Sequence, residues 1–267
     1  MLRAPVFRLF LGFAAACALA AAITAADTGI DRQWFLAINH ASARWLPESV
    51  PSCLTLLGHG LVAVMLLATL LRRAPQVLAA ALYATPLAAA FSRCGKWLVA
   101  APRPAGVLDL SSFRIQGPVL SGHNSFPSGH SITIFLVASV VVLGTEGLRE
   151  RPLAALALLC AALLAAASRV MVGAHWPADV FGGALFGMLA ALAGTLAAQR
   201  WPFWRHASAR IALALIVLAC AASLAAADTG YPLALPLQWL AVVIGAGTAV
   251  ATLWRALRER QSGAARP

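Results

Sequence analysis

Three short stretches of the 267-residue sequence concentrate side chains that can hold an anion and move a proton. Lys96, the single lysine, is separated by six residues from Arg103-Pro104. Pro127-Ser128-Gly129-His130 follows, and then Ser168-Arg169, with five residues before His175 and three more before Asp179. Lys96, Arg103 and Arg169 supply positive charge; Arg offers a planar fork that fits phosphate oxygens, and Lys a compact charge. Ser128 brings a hydroxyl. Gly129 lets its backbone N–H approach an oxygen closely, at a helix start whose free N–H groups favour anions. His175 and Asp179 are four residues apart and share one face if a helix begins near Trp176-Pro177, where Pro is tolerated in the first turn. Asp179 can then accept a bond from one ring nitrogen and fix the tautomer, leaving the other nitrogen to attack phosphorus. His130 is a second imidazole, suited to protonating a leaving oxygen. Each feature alone has an ordinary structural use: a snorkelling cation, a helix cap, a turn. The chemistry requires that the three stretches meet.

The elements that must bring them together are membrane spans. Apolar residues make up 61% of the chain and charged residues 11%, with a mean hydropathy of +0.82. Soluble domains run near about 45–50% apolar and about 25% charged. Eight apolar blocks stand out, at about 9–26, 53–71, 76–99, 130–145, 153–171, 178–198, 211–227 and 237–254. Helices are expected, because an open backbone in lipid leaves polar groups unsatisfied. Gly182, Gly183 and Gly187 would let helices approach closely. The expected fold is therefore an all-α polytopic bundle of about eight spans, with residues 27–52 as a loop. The first block is read as a retained helix; its alternative is a signal peptide, with Arg3 and Arg8 as the basic start. With alternating spans, the end of the third, the start of the fourth, the end of the fifth and the start of the sixth share one side, so the three polar stretches can converge.

Charge fixes the expected orientation. The net charge is +11. Its arginines lie singly or in pairs between apolar blocks, with no run of five like charges, so nucleic acid is not the expected partner. An N-terminus inside places thirteen of the twenty basic residues in inner loops and tails, including Arg72, Arg73, Arg149, Arg151, Arg200, Arg205, Arg210, Arg255, Arg258, Arg260 and Arg266. That bias puts both termini in the cytoplasm and the polar stretches outside. Cys17, Cys53, Cys94, Cys160 and Cys220 form no CxxC and read mainly as packing residues. Ala-Ala-Asp-Thr-Gly occurs at 25–29 and again at 226–230, which suggests a shared way of ending a helix rather than a duplication.

The trio Lys-x6-Arg-Pro, Pro-Ser-Gly-His and Ser-Arg-x5-His-x3-Asp resembles the three-part signature of the type 2 phosphatidic acid phosphatase (PAP2) superfamily, without a departure, over roughly residues 50–200. The resemblance implies a six-helix phosphatase core within 1–200, followed by two additional helices and a basic tail in 201–267. It implies metal-independent cleavage of a phosphate ester or diphosphate with no cofactor. In that scheme His175 is the nucleophile that becomes phosphohistidine and Asp179 orients it. His130 is the general acid, then helps activate water. Lys96, Arg103, Ser128, Gly129 and Arg169 hold the phosphoryl oxygens. The implied substrate is a lipid phosphate in the bilayer, with undecaprenyl or another polyprenyl diphosphate first. Phosphatidate, phosphatidylglycerophosphate and lipid A phosphate are the alternatives. Transfer to another lipid, or binding and transport without turnover, are competing activities. The expected setting is a bacterial inner membrane with the site facing the periplasm. Oligomeric state is left open.

Overall fold

The computed structural model describes residues 4–264, with side chains from 5 to 258. Arg3 and Arg266 lie outside the described residues, and the side chain of Arg260 lies outside them too. All regular structure among the described residues is helical. The helices are α1 (Ala4–Ala26), α2 (Thr28–Trp45), α3 (Ser49–Leu56), α4 (Gly60–Ala68), α5 (Pro75–Val99), α6 (Gly129–Gly144), α7 (Glu146–Arg149), α8 (Pro152–Met171), α9 (Pro177–Arg200), α10 (Ala207–Ala226) and α11 (Leu235–Ala264). Six segments are long and apolar enough to cross a bilayer: Pro5–Ala26, Pro75–Gly106, Pro152–Met171, Pro177–Arg200, Ala207–Ala226 and Pro232–Arg258. The chain is an all-α polytopic membrane protein.

Three segments depart from the simple eight-span reading. The block at 53–71 is not one straight helix but α3 and α4, bent by 73°. The break is Leu57-Gly58-His59, with His59 extended at φ −73°, ψ 130°. A Cβ on Gly58 would stand 2.8 Å from the Cβ of His130, so the missing side chain lets the bend rest against α6. The block at 130–145 is α6, only 16 residues long. Sixteen residues rise about 24 Å, short of the roughly 30 Å hydrocarbon thickness. Residues 27–52 are not a loop: they form α2 and the start of α3.

The helix α2 buries Asp31, Phe35, Asn39 and Ser42, a 4-4-3 spacing that makes one helical face. Asn39 Nδ2 donates to the carbonyls of Arg114, Val170 and Met171, and its Oδ1 accepts from Arg114 N at 2.8 Å. It thus satisfies carbonyls left open at the end of α8. Asp31 Oδ1 accepts from Ala178 N at 2.9 Å, in the first turn of α9. One helix therefore caps the end of α8 and the start of α9 together.

The helix α9 packs along α6, α5 and α1. Glycines set its distance from α6: a Cβ on Gly183 would meet Ser128 O at 2.7 Å and Ser131 Cβ at 2.8 Å. The helices α10 and α11 form a hairpin against each other and against α4. In the turn before α2, Asp27 Oδ1 accepts from Gly29 N and Ile30 N; in the turn after α10, Asp228 Oδ1 accepts from Gly230 N. The repeated pentapeptide performs the same local job twice, an Asx-type turn directly after a helix. All five cysteines are free thiols.

Candidate active site

The end of α5, the start of α6, the end of α8 and the start of α9 lie at one end of the bundle, and side chains from all four regions interlock there. Asp179 sits in the first turn of α9 and is 2% exposed. Its Oδ2 accepts from Trp176 N at 2.9 Å, closing the N-terminus of α9. The same oxygen lies 3.2 Å from Nδ1 of His175, and it accepts from the hydroxyl of Ser125.

The other nitrogen of His175 lies 3.3 Å from Nη1 of Arg103. A guanidinium can only donate, so Nε2 must present its lone pair and the ring proton must be on Nδ1, directed at Asp179. The tautomer needed for attack through Nε2 is thereby set from both sides. Burial is the main cause that holds the imidazole well below its ordinary pKa, and the charges of Arg169, Arg103 and Lys96 add to it. The ring is neutral at pH 7. Trp176 steadies this corner: its ring lies 5.0 Å from Phe35, and its Nε1 donates to Pro102 O at 2.8 Å.

The cations are anchored by backbone as much as by charge. Arg103 is 8% exposed; its Nη1 donates to Ala174 O at 3.0 Å and its Nε to Asn124 Oδ1 at 2.7 Å. Lys96 Nζ donates to Asn124 O at 2.7 Å and Pro127 O at 3.3 Å. Both therefore grip the loop that delivers Ser128 and Gly129. Arg169 is 3% exposed. Ser128 is buried and caps α6, its Oγ accepting from Ser131 N at 3.3 Å, while its own N–H donates to Asp179 O at 3.0 Å. Gly129 and His130 open α6 and are half-buried.

All eight site residues expected from the sequence gather at this end. Four more participate that the sequence did not single out. Ser125 and Asn124 lie inside the loop before Pro127, but nothing in their type or spacing sets them apart from turn residues. Asp31 falls within residues 27–52, where the sequence suggests only a loop. Burial raises its carboxyl to about 6, and the nearby Asp179 charge adds to the rise, partly offset by the bond from Ala178 N. His59 stands edge-on to His130 with ring centroids 6.5 Å apart. Among the described residues no three His, Cys, Asp or Glu side chains form a metal-ligand group.

An apolar cavity of about 460 Å³ opens beside His130 and Gly129. It runs between α4, α5 and α6, with Val64, Leu67, Leu78, Leu82 and Leu136 in its walls.

Residues 77–204 match the PAP2 superfamily, a span that contains every motif residue from Lys96 to Asp179. These residues form a PAP2 domain. The crystal structure of LpxE from Aquifex aeolicus is similar to this chain at 27% identity and a TM-score of 0.54. The match covers 63% of this chain and 96% of LpxE. No curated protein matches the chain. The family match and the structural neighbour both support a membrane lipid phosphatase. The PAP2 domain stops before α10, so the C-terminal hairpin lies beyond it.

Proposed function

We propose that the protein hydrolyses a lipid phosphate or diphosphate without a metal, through a phosphohistidine on His175. The observation that carries this reading is the placement of His175 between a carboxylate and a guanidinium, which assigns its tautomer. Its Nδ1–H faces Asp179 and its Nε2 lone pair faces the guanidinium of Arg103, in a pocket that also holds Arg169 and Lys96. Binding alone requires no imidazole held neutral behind a carboxylate.

In the first step Nε2 of His175 attacks phosphorus, the bond to the leaving oxygen breaks, and His130 supplies that oxygen with a proton. In the second, His130 takes a proton from water as the water oxygen attacks phosphorus, the N–P bond breaks, and inorganic phosphate and free His175 result. Lys96, Arg103, Arg169, the Ser128 hydroxyl and Gly129 N–H offset the charge on the three equatorial oxygens, the main task in phosphoryl transfer. Asp179 stabilises the charge that His175 gains.

The apolar cavity next to His130 supports a substrate whose phosphate carries a long hydrocarbon chain. We assign a polyprenyl diphosphate, such as undecaprenyl diphosphate, as the first substrate. Arginines Arg72, Arg73, Arg149, Arg151, Arg200 and Arg210 at the opposite end support an orientation with that end and both termini in the cytoplasm. The site would then face the periplasm of a bacterial inner membrane. We also read 1–200 as the part that carries all the motif residues, followed by the C-terminal hairpin.

The test is phosphate release by the detergent-purified full chain from polyprenyl diphosphate, phosphatidate, phosphatidylglycerophosphate and lipid A phosphate, with and without EDTA. Release with no acceptor lipid, insensitive to EDTA and fastest on the polyprenyl diphosphate, is the expected result. Loss of activity in EDTA contradicts the mechanism, a different rank order replaces the substrate, and dependence on an acceptor lipid makes the enzyme a transferase.

A further inference from the structure

Arg169 is held from outside the PAP2 domain. Its Nη1 donates to Thr55 Oγ1 at 2.6 Å and to Tyr231 Oη at 2.8 Å. Thr55 lies on α3 and is 1% exposed; Tyr231 lies between α10 and α11 and is 8% exposed. Neither falls within residues 77–204. A guanidinium has five N–H bonds. The two on Nη1 are occupied by these hydroxyls. Of the other three, Nε–H and one Nη2–H form the side-on edge, which binds an oxyanion through two parallel bonds. Nε is buried and has no partner among the described residues.

The turn that carries Tyr231 is itself fixed. Gln238, 2% exposed, donates through Nε2 to Leu224 O at 2.8 Å and Ala227 O at 2.9 Å. Its Oε1 accepts from Thr229 Oγ1 at 3.2 Å, and Asp228 Oδ1 accepts from Gly230 N. Gly117 and Gly230 both adopt positive φ, +76° and +74°. A Cβ on Gly117 would lie 2.8 Å from the Tyr231 ring, and one on Gly230 would lie 2.9 Å from Pro118. The turn therefore seats tightly on the loop after α5, with no room for side chains at the two contact points.

We propose that Tyr231, with Thr55, is a positioning residue for Arg169, so that the α10–α11 hairpin completes the phosphate-binding site. By occupying Nη1, the two hydroxyls turn the Nε–Nη2 edge of Arg169 toward the phosphoryl oxygens. This rests on the reading of Arg169 as a phosphate-binding residue. It gives the hairpin a role in the reaction that the motifs do not contain.

The experiment compares full-length wild type, Tyr231→Phe, Thr55→Val, Arg169→Lys and Arg169→Lys/Tyr231→Phe in the same detergent. Orthovanadate affinity, kcat, KM and melting temperature are read for each. Tyr231→Phe keeps the ring and its packing and removes the hydroxyl that accepts from Arg169. It is expected to weaken vanadate binding and lower kcat by about tenfold, the scale of one charge-assisted hydrogen bond, with the melting temperature unchanged. Thr55→Val acts in the same direction. In the Arg169→Lys background, Tyr231→Phe costs nothing further, because the fork it positions is gone. Leu233→Ala, on the same turn with a half-exposed side chain, leaves all four readouts at wild type. Equal kcat and vanadate affinity in wild type and Tyr231→Phe overturns the proposal, as does a full additive loss on top of Arg169→Lys. If wild type turns over no lipid phosphate, the functional reading fails, and vanadate affinity alone decides this one: a tenfold difference sustains it, while equal or absent binding overturns it.

Discussion

The two ends of the bundle use the same residue type for different ends. Arg103 and Arg169, at the end where α5 and α8 finish, are buried and locked to named oxygens: Asn124 and Ala174 for one, Thr55 and Tyr231 for the other. At the opposite end Arg72, Arg73, Arg210 and Arg255 are exposed along shallow clefts, and Arg205 and Arg258 lie over the rings of Trp204 and Trp254. Arginine content therefore does not make a site. Fixed direction and exclusion of water do, because a preorganised cation in a low-dielectric pocket acts on developing charge far more strongly than a mobile one in water. In the proposed orientation the exposed cations would lie at the cytoplasmic membrane surface instead.

The sharpest break in this contrast is at the nucleophile. His175→Ala should lower lipid phosphate hydrolysis by about ten-thousand-fold or more while the protein still extracts and melts as a folded species. Arg103→Gln should cost about a hundredfold in kcat/KM, and it carries a directional signature. Removing the guanidinium relieves one cause of the depressed His175 pKa. The acid limb of kcat/KM, expected below pH 6.5 in wild type, then moves upward in the variant. Ser125→Ala removes a donor to Asp179 and should cost about tenfold, read as a fall in kcat with little change in KM. At the other end, Arg210→Gln combined with Arg255→Gln should leave kcat within about twofold. A large loss there would erase the distinction between the two ends.

The smallest effect concerns Asp31. Its folded pKa of about 6 exceeds the ordinary 3.8, so the folded state binds the extra proton between those values. Wild-type stability should fall as pH rises from about 4 to about 6 and then stay flat. Asp31→Asn keeps an acceptor for Ala178 N and cannot titrate. The difference in melting temperature between the two proteins should therefore widen over that window and reach a plateau worth at most about 3 kcal/mol.

Much of this was readable from residue type and spacing, and the parts that were not share a cause. The spans α1, α5, α8, α9, α10 and α11 are continuous apolar runs, and a run of that length admits few other structures. The site stretches could be placed on one side because span ends alternate. The helix α2 has no apolar signature in the sequence because its buried face is Asp31, Phe35, Asn39 and Ser42. A face that makes hydrogen bonds rather than apolar contacts has no hydrophobic period to detect. The bend at His59 is hidden for the opposite reason: the flanking segments are apolar enough to read as one span, and the close approach of Gly58 to His130 on α6 leaves no local pattern. Ser125, Thr55 and Tyr231 act across sequence distances of 54, 114 and 62 residues, and no local pattern records such pairings.

The most direct test of the account is a rapid acid-free quench of the wild-type protein during turnover of a radiolabelled lipid phosphate, followed by peptide mapping. The account predicts a label that is stable to base and lost in acid, carried by the peptide containing His175, and absent from His175→Ala. A label on another residue, or wild-type turnover by His175→Ala, would contradict it.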